Sequence, residues 1–184
     1  MILYVVRHGE TQFNVEKRYA GQTDVPLNER GIEQAKELAK KLAEEYFDVI
    51  VTSPLQRART TAEQIRAYHK DIPLIVMDEF REVCVGVYEG LTGAEAQERY
   101  PDLWARKCTR QADDAPTGGE TARQVDSRVA KGLGVLKEKY PDKRILLVCH
   151  GFVSRTINRQ MKGLSFEEMH EFSLGNCEVV TYQV

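Results

Sequence analysis

The sequence predicts an α/β fold: a three-layer α/β/α sandwich around a mostly parallel central sheet. Short apolar runs alternate with stretches of helical periodicity along the chain, the pattern of helices laid on both faces of a parallel sheet. Two of these runs, YVVRHG at 4–9 and LLVCHG at 146–151, deliver a histidine and then a glycine where a strand should end. Ligands of open α/β sheets bind at the carboxyl ends of strands, so both runs point to one sheet edge.

The elements follow in order. ILYVV is the first strand. From Ile32, Ala35, Leu38, Ala39, Leu42, Ala43 and Tyr46 recur at helical spacing, with Asn28 as N-cap and Glu37–Lys41 as an i,i+4 pair on the wet face. DVIVTS is a second strand. SPLQRARTTAEQI is a helix with Ser53 as N-cap, Pro54 at its first position and Gln56 closing a capping box. PLIVMD is a third strand. Residues 92–118 lack core periodicity and are expected to form an insertion closed by Gly118 and Gly119. A helix from about Glu120 to Tyr140 stops at Pro141, and RILLVCH is a fourth strand. A helix from about Phe152 and a last strand, CEVVTYQV, end the chain. A single domain over 1–184, with an insertion at about 91–118, is the expected organisation.

Composition narrows the function. With 42% hydrophobic and 29% charged residues and a net charge of −2, nothing favours nucleic acid or an anionic membrane as partner. No run approaches the roughly 18 apolar residues of a membrane span. The opening MILYVVRHGE lacks a basic n-region, and its apolar run is too short for a signal peptide. Cys84, Cys108, Cys149 and Cys177 form no C-x-x-C pair, so a reduced cytoplasmic location is expected. The sequence leaves the oligomeric state open.

The predicted strand ends assemble a toolkit. After the first come Arg7 and His8, after the second Arg57, after the third Glu82, and after the fourth His150. Two histidines, two arginines and a carboxyl group offer a nitrogen nucleophile, anion clamps and a proton donor, the parts that phosphoryl transfer requires. Arg57 sits near a helix N-terminus, where a cation opposes the macrodipole. Such a broken local rule marks a functional position. Glycine after each histidine is expected to allow positive φ and close approach of a ligand. His69 and His170 fall on polar stretches read as exposed, without a role. Metal binding is the rival chemistry, but no H-x-x-x-H, H-x-H or paired aspartates are present and the arginines would repel a dication. No cofactor is expected, and no G-x-G-x-x-G follows the first strand.

At these residues the sequence resembles the histidine phosphatase superfamily, the cofactor-dependent phosphoglycerate mutase-like group. RHGET (Arg7 to Thr11) with Asn14, GQTDVPLNERGIEQA (Gly21 to Ala35), SPLQRARTTAE (Ser53 to Glu63), GGET (Gly118 to Thr121) and CHG (Cys149 to Gly151) match five family blocks in order. The resemblance implies a phosphoglycerate mutase-like fold, His8 as nucleophile, and Arg7, Arg57 and His150 holding phosphoryl oxygens. Asn14 and Gln22 would be lesser contacts, with Glu82 as the acid and base. It implies a small phosphate ester as substrate. Glu82 has Glu79 and Glu89 as competing neighbours. Two departures favour the phosphatase branch over the mutases: no arginine follows the carboxylate, where mutases carry E-R-H-Y-G-G-L, and the chain is shorter than theirs. Gly86-Val87-Tyr88-Glu89-Gly90 replaces the G-x-W-E-G common among the phosphatases. An α-ribazole phosphatase-like activity is one expectation. A phosphoglycerate mutase or a non-catalytic phosphate-binding module is the alternative. Trp104, Arg106, Lys107 and Arg110 in the insertion would meet the leaving group.

Overall fold

The computed structural model describes residues 1–184. Its five strands are β1 (Ile2–Arg7), β2 (Val49–Thr52), β3 (Leu74–Val76), β4 (Arg144–Cys149) and β5 (Val179–Gln183). They form one sheet in the order β3-β2-β4-β1-β5, parallel except for β5, which runs antiparallel to β1. The helices are α1 (Gln12–Val15), α2 (Glu29–Lys41), α3 (Gln56–Arg66), α4 (Gly93–Arg99), α5 (Pro101–Ala105), α6 (Ala122–Lys139) and α7 (Gly151–Lys162).

Strand alternation divides the core in two. Leu3, Val5, Val49, Val51, Ile145 and Leu147 face α6 and α7, where Val125, Val129, Leu133, Val153 and Ile157 cover them. Their neighbours Val6, Ile50, Leu146 and Val148 face α2 and α3 and pack on Leu38, Ala39, Leu42, Ala58, Ala62 and Ile65. β2 and β4 are buried along almost their whole length because helices cover both faces, which is why they read as continuous apolar runs.

This layering fixes where a site can form. The chain leaves β1 for α2 on one face and leaves β4 for α7 on the other, although β1 and β4 are neighbours. The two connections therefore part at the carboxyl ends of these strands and open a crevice there.

Several local expectations are revised. Asn28 caps α2 as predicted, its Oδ1 accepting from Gly31 N at 2.8 Å. Ser53 does not cap α3: the helix starts at Gln56 after Leu55, and Gln56 N donates to Asp24 Oδ1 at 2.7 Å. A distant loop thus supplies the cap, and Ser53 is free for another partner. Residues 92–118 are more regular than expected, holding α4, α5 and a 3-10 turn at Cys108–Arg110. A capping box from Thr92 and Glu95 starts α4, and Pro101 starts α5. α6 begins at Ala122, two residues later than expected, capped by Thr121. His69 is buried, its Nε2 3.1 Å from Leu42 O and its ring edge-on to Phe47, so the polar stretch around it misled.

Candidate active site

β1 and β4 pair with Arg7 opposite Cys149, so His8 and His150 leave adjacent strands at the same level. His8 N donates to Cys149 O at 3.1 Å, and the two imidazole centroids lie 5.2 Å apart. His8 Nδ1 is 2.6 Å from Gly9 O. A carbonyl can only accept, so the Nδ1 proton is donated there and the lone pair of the neutral ring sits on Nε2. Burial, reinforced by Arg57 and then Arg7, holds His8 well below its ordinary value of 6.5 and keeps the ring neutral. Nε2 makes no hydrogen bond, and His8 lines a cavity of about 360 Å³.

The glycine after His8 has a different reason from the one expected. Gly9 does not have positive φ; a Cβ there would come within 2.4 Å of Gly31 O. Gly31 in turn lies against Glu10 O, where a Cβ would reach 2.0 Å. Two glycines thus let the His8 turn press against the first turn of α2. Thr61 locks it from α3, accepting from Gly9 N at 3.1 Å while donating to Arg57 O at 2.8 Å.

The arginines are held from behind, each with one face spare. Arg57 is buried on α3, and its two terminal nitrogens donate to Gly21 O and Thr23 O, both at 2.8 Å. Arg7 donates through Nη1 to Leu174 O at 2.9 Å. His150 Nε2 lies 2.7 Å from Ser53 Oγ. Ser53 is buried and its hydroxyl's only other partner is Leu55 N, itself a donor at 3.3 Å, so the hydroxyl proton has no acceptor but Nε2, which assigns the His150 proton to Nδ1. Five buried nitrogens are left without a partner; Arg144 Nε and Arg159 Nε lie elsewhere, but Arg7 Nε, Arg57 Nε and His150 Nδ1 all belong to residues of this site. Leaving a buried donor unpaired costs about 1–3 kcal/mol, so three around one histidine mark a place built to receive an anion. No group of three His, Cys, Asp or Glu side chains is close enough together to hold a metal ion.

Glu82 lines the same cavity; neither Glu79 nor Glu89 does. Its Oε1 accepts from Val83 N at 2.9 Å and its Oε2 from Phe152 N, in the first turn of α7, at 3.1 Å. Glu89 instead accepts from Gln22 N and Thr23 Oγ1, and Glu79 faces Lys131. Asn14 lines the cavity, its Oδ1 taken up by Thr11 N at 3.0 Å. Gln22 stands one layer back and does not line it: Nε2 donates to Glu82 O at 3.0 Å and to Glu120 Oε2 at 3.2 Å. His150 is fully buried beside His8, their ring centroids 5.2 Å apart, and does not itself line the cavity.

Sequence reasoning missed the frame that carries Glu82. Arg128 on α6 donates to Glu79 O at 2.9 Å, Arg81 O at 2.6 Å and Glu82 O at 3.1 Å, and it pairs with both oxygens of Glu120. Glu120 also accepts from Cys84 N at 2.8 Å. Arg155 from α7 and His170 were missed as well: both line the cavity, together with Arg110 of the insertion, which the sequence singles out. Trp104 lies beyond, lining an adjoining cavity, and Arg106 is turned onto Asp114.

A family model described as "Histidine phosphatase superfamily (branch 1)" matches residues 3–184. The chain belongs to the histidine phosphatase superfamily. It is 36% identical to a Bacillus subtilis protein described as uncharacterized phosphatase PhoE, over 86% of this chain and 76% of that one. It is 32% identical to phosphoserine phosphatase 1 of Hydrogenobacter thermophilus, over 99% of this chain and 84% of the relative. The solved α-ribazole phosphatase of Shigella flexneri superposes with a TM-score of 0.90 at 28% identity, covering 98% of this chain and 89% of that one. The phosphoglycerate mutase-like fold expected from the sequence is therefore the fold of this histidine phosphatase. No helix is long and apolar enough to cross a membrane.

Proposed function

We propose that this histidine phosphatase is a single-domain cytoplasmic phosphomonoesterase that hydrolyses a small phosphorylated metabolite through a phosphohistidine on His8. The observation that carries the reading is the pairing of an open, unprotonated Nε2 with three unpartnered buried donors around it. Four free cysteines, none in a disulfide, fit the reducing compartment.

The reaction runs as two displacements. Arg7, Arg57 and His150 Nδ1 hold the phosphoryl oxygens, and Asn14 adds a weaker contact. The Nε2 lone pair of His8 attacks phosphorus as the ester P–O bond breaks. The leaving oxygen takes its proton from the Glu82 carboxyl group. Glu82, now a carboxylate, takes a proton from water, whose oxygen attacks phosphorus. The N–P bond breaks, its electron pair returns to Nε2, and phosphate leaves. The Gly9 carbonyl supports this cycle: the imidazole carries added positive charge while phosphorylated, and the Nδ1–H bond to that oxygen strengthens as the charge grows. Gln22 holds the backbone that carries Glu82.

Fixed dipoles and guanidinium groups do the work of charge neutralisation, and they need no reorganisation during the reaction. A non-catalytic phosphate binder would need the arginines but neither an open Nε2 nor a carboxyl group at the cavity wall. The test is to follow 3-phosphoglycerate alongside other metabolite phosphates. Release of inorganic phosphate supports a hydrolase. Isomerisation to 2-phosphoglycerate without release would make the chain a mutase, and binding without turnover would make it a binding module.

A further inference from the structure

The cavity extends beyond what a phosphoryl group needs, and its outer wall is cationic. Five arginines line it: Arg7, Arg18, Arg57, Arg110 and Arg155. Arg7 and Arg57 balance a phosphoryl dianion. Arg18 is neutralised by Glu16 and Glu95, both at 2.7 Å. Arg110 and Arg155 have no carboxylate within ion-pair distance.

The carboxylates of the cavity do not offset them. Glu120 is paired with Arg128, Asp114 with Arg106 at 3.3 Å, and the charge of Glu82 falls on Arg7 and Arg57. Arg155 is nonetheless oriented: its Nε donates to Phe172 O at 2.9 Å, and its two terminal nitrogens have no protein partner. Arg110 makes no side-chain hydrogen bond and stands on the 3-10 turn at Cys108–Arg110. His170 completes the group from a third segment, its ring edge-on to Phe152 with centroids 6.3 Å apart. Three separate segments thus bring cationic or donor side chains to one wall, and like charges gathered without an acidic partner repel one another unless an anion joins them.

We propose that Arg155, Arg110 and His170 form a second anion subsite, outward of the phosphoryl pocket, that holds a carboxylate or second phosphate carried by the leaving group. This rests on the phosphatase reading above and adds the substrate class to it. Arg155 supplies a planar fork to two oxygens, Arg110 closes from the insertion, and His170 donates between them. The same neighbours leave their mark on the free protein: burial, then Arg155 and Arg110, hold His170 below its ordinary value. A bound anion would offset that repulsion. Phosphate esters whose leaving group is uncharged would use only half of the site.

The test compares matched pairs that differ in the second anion: O-phosphoserine with O-phosphoethanolamine, 3-phosphoglycerate with glycerol 3-phosphate, and fructose 1,6-bisphosphate with fructose 6-phosphate. The wild type is expected to favour the anionic member of at least one pair in kcat/KM by about ten- to a hundredfold, the range for a charged hydrogen-bonded contact. Preference in the first two pairs assigns a carboxylate; preference in the third assigns a phosphate. Arg155→Met and, separately, the solvent-exposed Arg110→Met are expected to lower that ratio at least about threefold. Phosphate release from both members of every pair without preference would overturn the subsite and leave the phosphatase reading standing. A preference that survives both substitutions would overturn it too. No release from any pair would defeat the phosphatase reading, and the subsite with it.

Discussion

Arg128 donates to the Glu82 carbonyl oxygen at 3.1 Å while the same guanidinium holds the carbonyls of Glu79 and Arg81. One side chain on α6 therefore sets the path of the segment that presents the proposed acid.

This relationship predicts how Arg128→Met should fail. An acid matters most for leaving groups that depart poorly as anions, so a misplaced Glu82 should slow alkyl phosphates more than p-nitrophenyl phosphate. The expected loss on alkyl esters is about a hundredfold, the scale for a misplacement near 1 Å. Glu82→Gln should show the same dependence, more strongly. An equal loss on both ester classes in Arg128→Met would reduce Arg128 to a scaffold residue.

Arg57→Lys should be damaging although it keeps the charge. Lysine cannot span Gly21 O, Thr23 O and an anion at once, because it lacks the planar fork. The expected cost is roughly 2–4 kcal/mol of transition-state stabilisation, as for removal of one preorganised donor. A near-normal kcat/KM in the variant would return Arg57 to a purely structural role.

Stability should fall on the acid side. Burial holds both His8 and His150 well below 6.5 in the fold, whereas the unfolded chain protonates them near that value. As pH drops below about 6.5, the unfolded state takes up protons that the folded state excludes. The stability present above that pH is therefore lost as the pH approaches the lower folded-state values. The slope is about 1.4 kcal/mol per pH unit for each histidine. Thermal melts between pH 7 and pH 5 measure it, and His150→Gln should flatten it. An unchanged slope in that variant would place the ring in a solvated setting.

Chelators should leave turnover unchanged, because guanidinium groups supply the charge that a metal would otherwise bring. Phosphate release assayed with and without EDTA measures this. Loss in EDTA that is restored by Zn²⁺ or Mg²⁺ would contradict it.

Much of this was legible from residues alone. His8 and His150 stood out because an apolar run that ends in histidine and glycine is unusual, and β1–β4 pairing then brought them together. What stayed hidden depended on tertiary partners. Ser53 read as a helix cap because serine before proline usually is one, but its hydroxyl is needed by His150 and Asp24 takes over the cap. Arg128 and Arg155 looked like wet-face helix residues, since nothing local distinguishes an arginine that bonds backbone 46 or 17 residues away. Helix α4 could have been found, because Thr92 and Glu95 spell its capping box. The four-residue α1 is marked only by Thr11 and Asn14, too short a pattern to stand out.

The central claim is that phosphorus is transferred to His8 Nε2. Rapid quenching of the wild type with a ³²P-labelled substrate, then mapping of the labelled peptide, tests it most directly. The account predicts acid-labile, base-stable label on the peptide containing His8, absent from a folded His8→Ala protein that no longer turns over. Acid-stable label on a serine or threonine, or full turnover by His8→Ala, would contradict it.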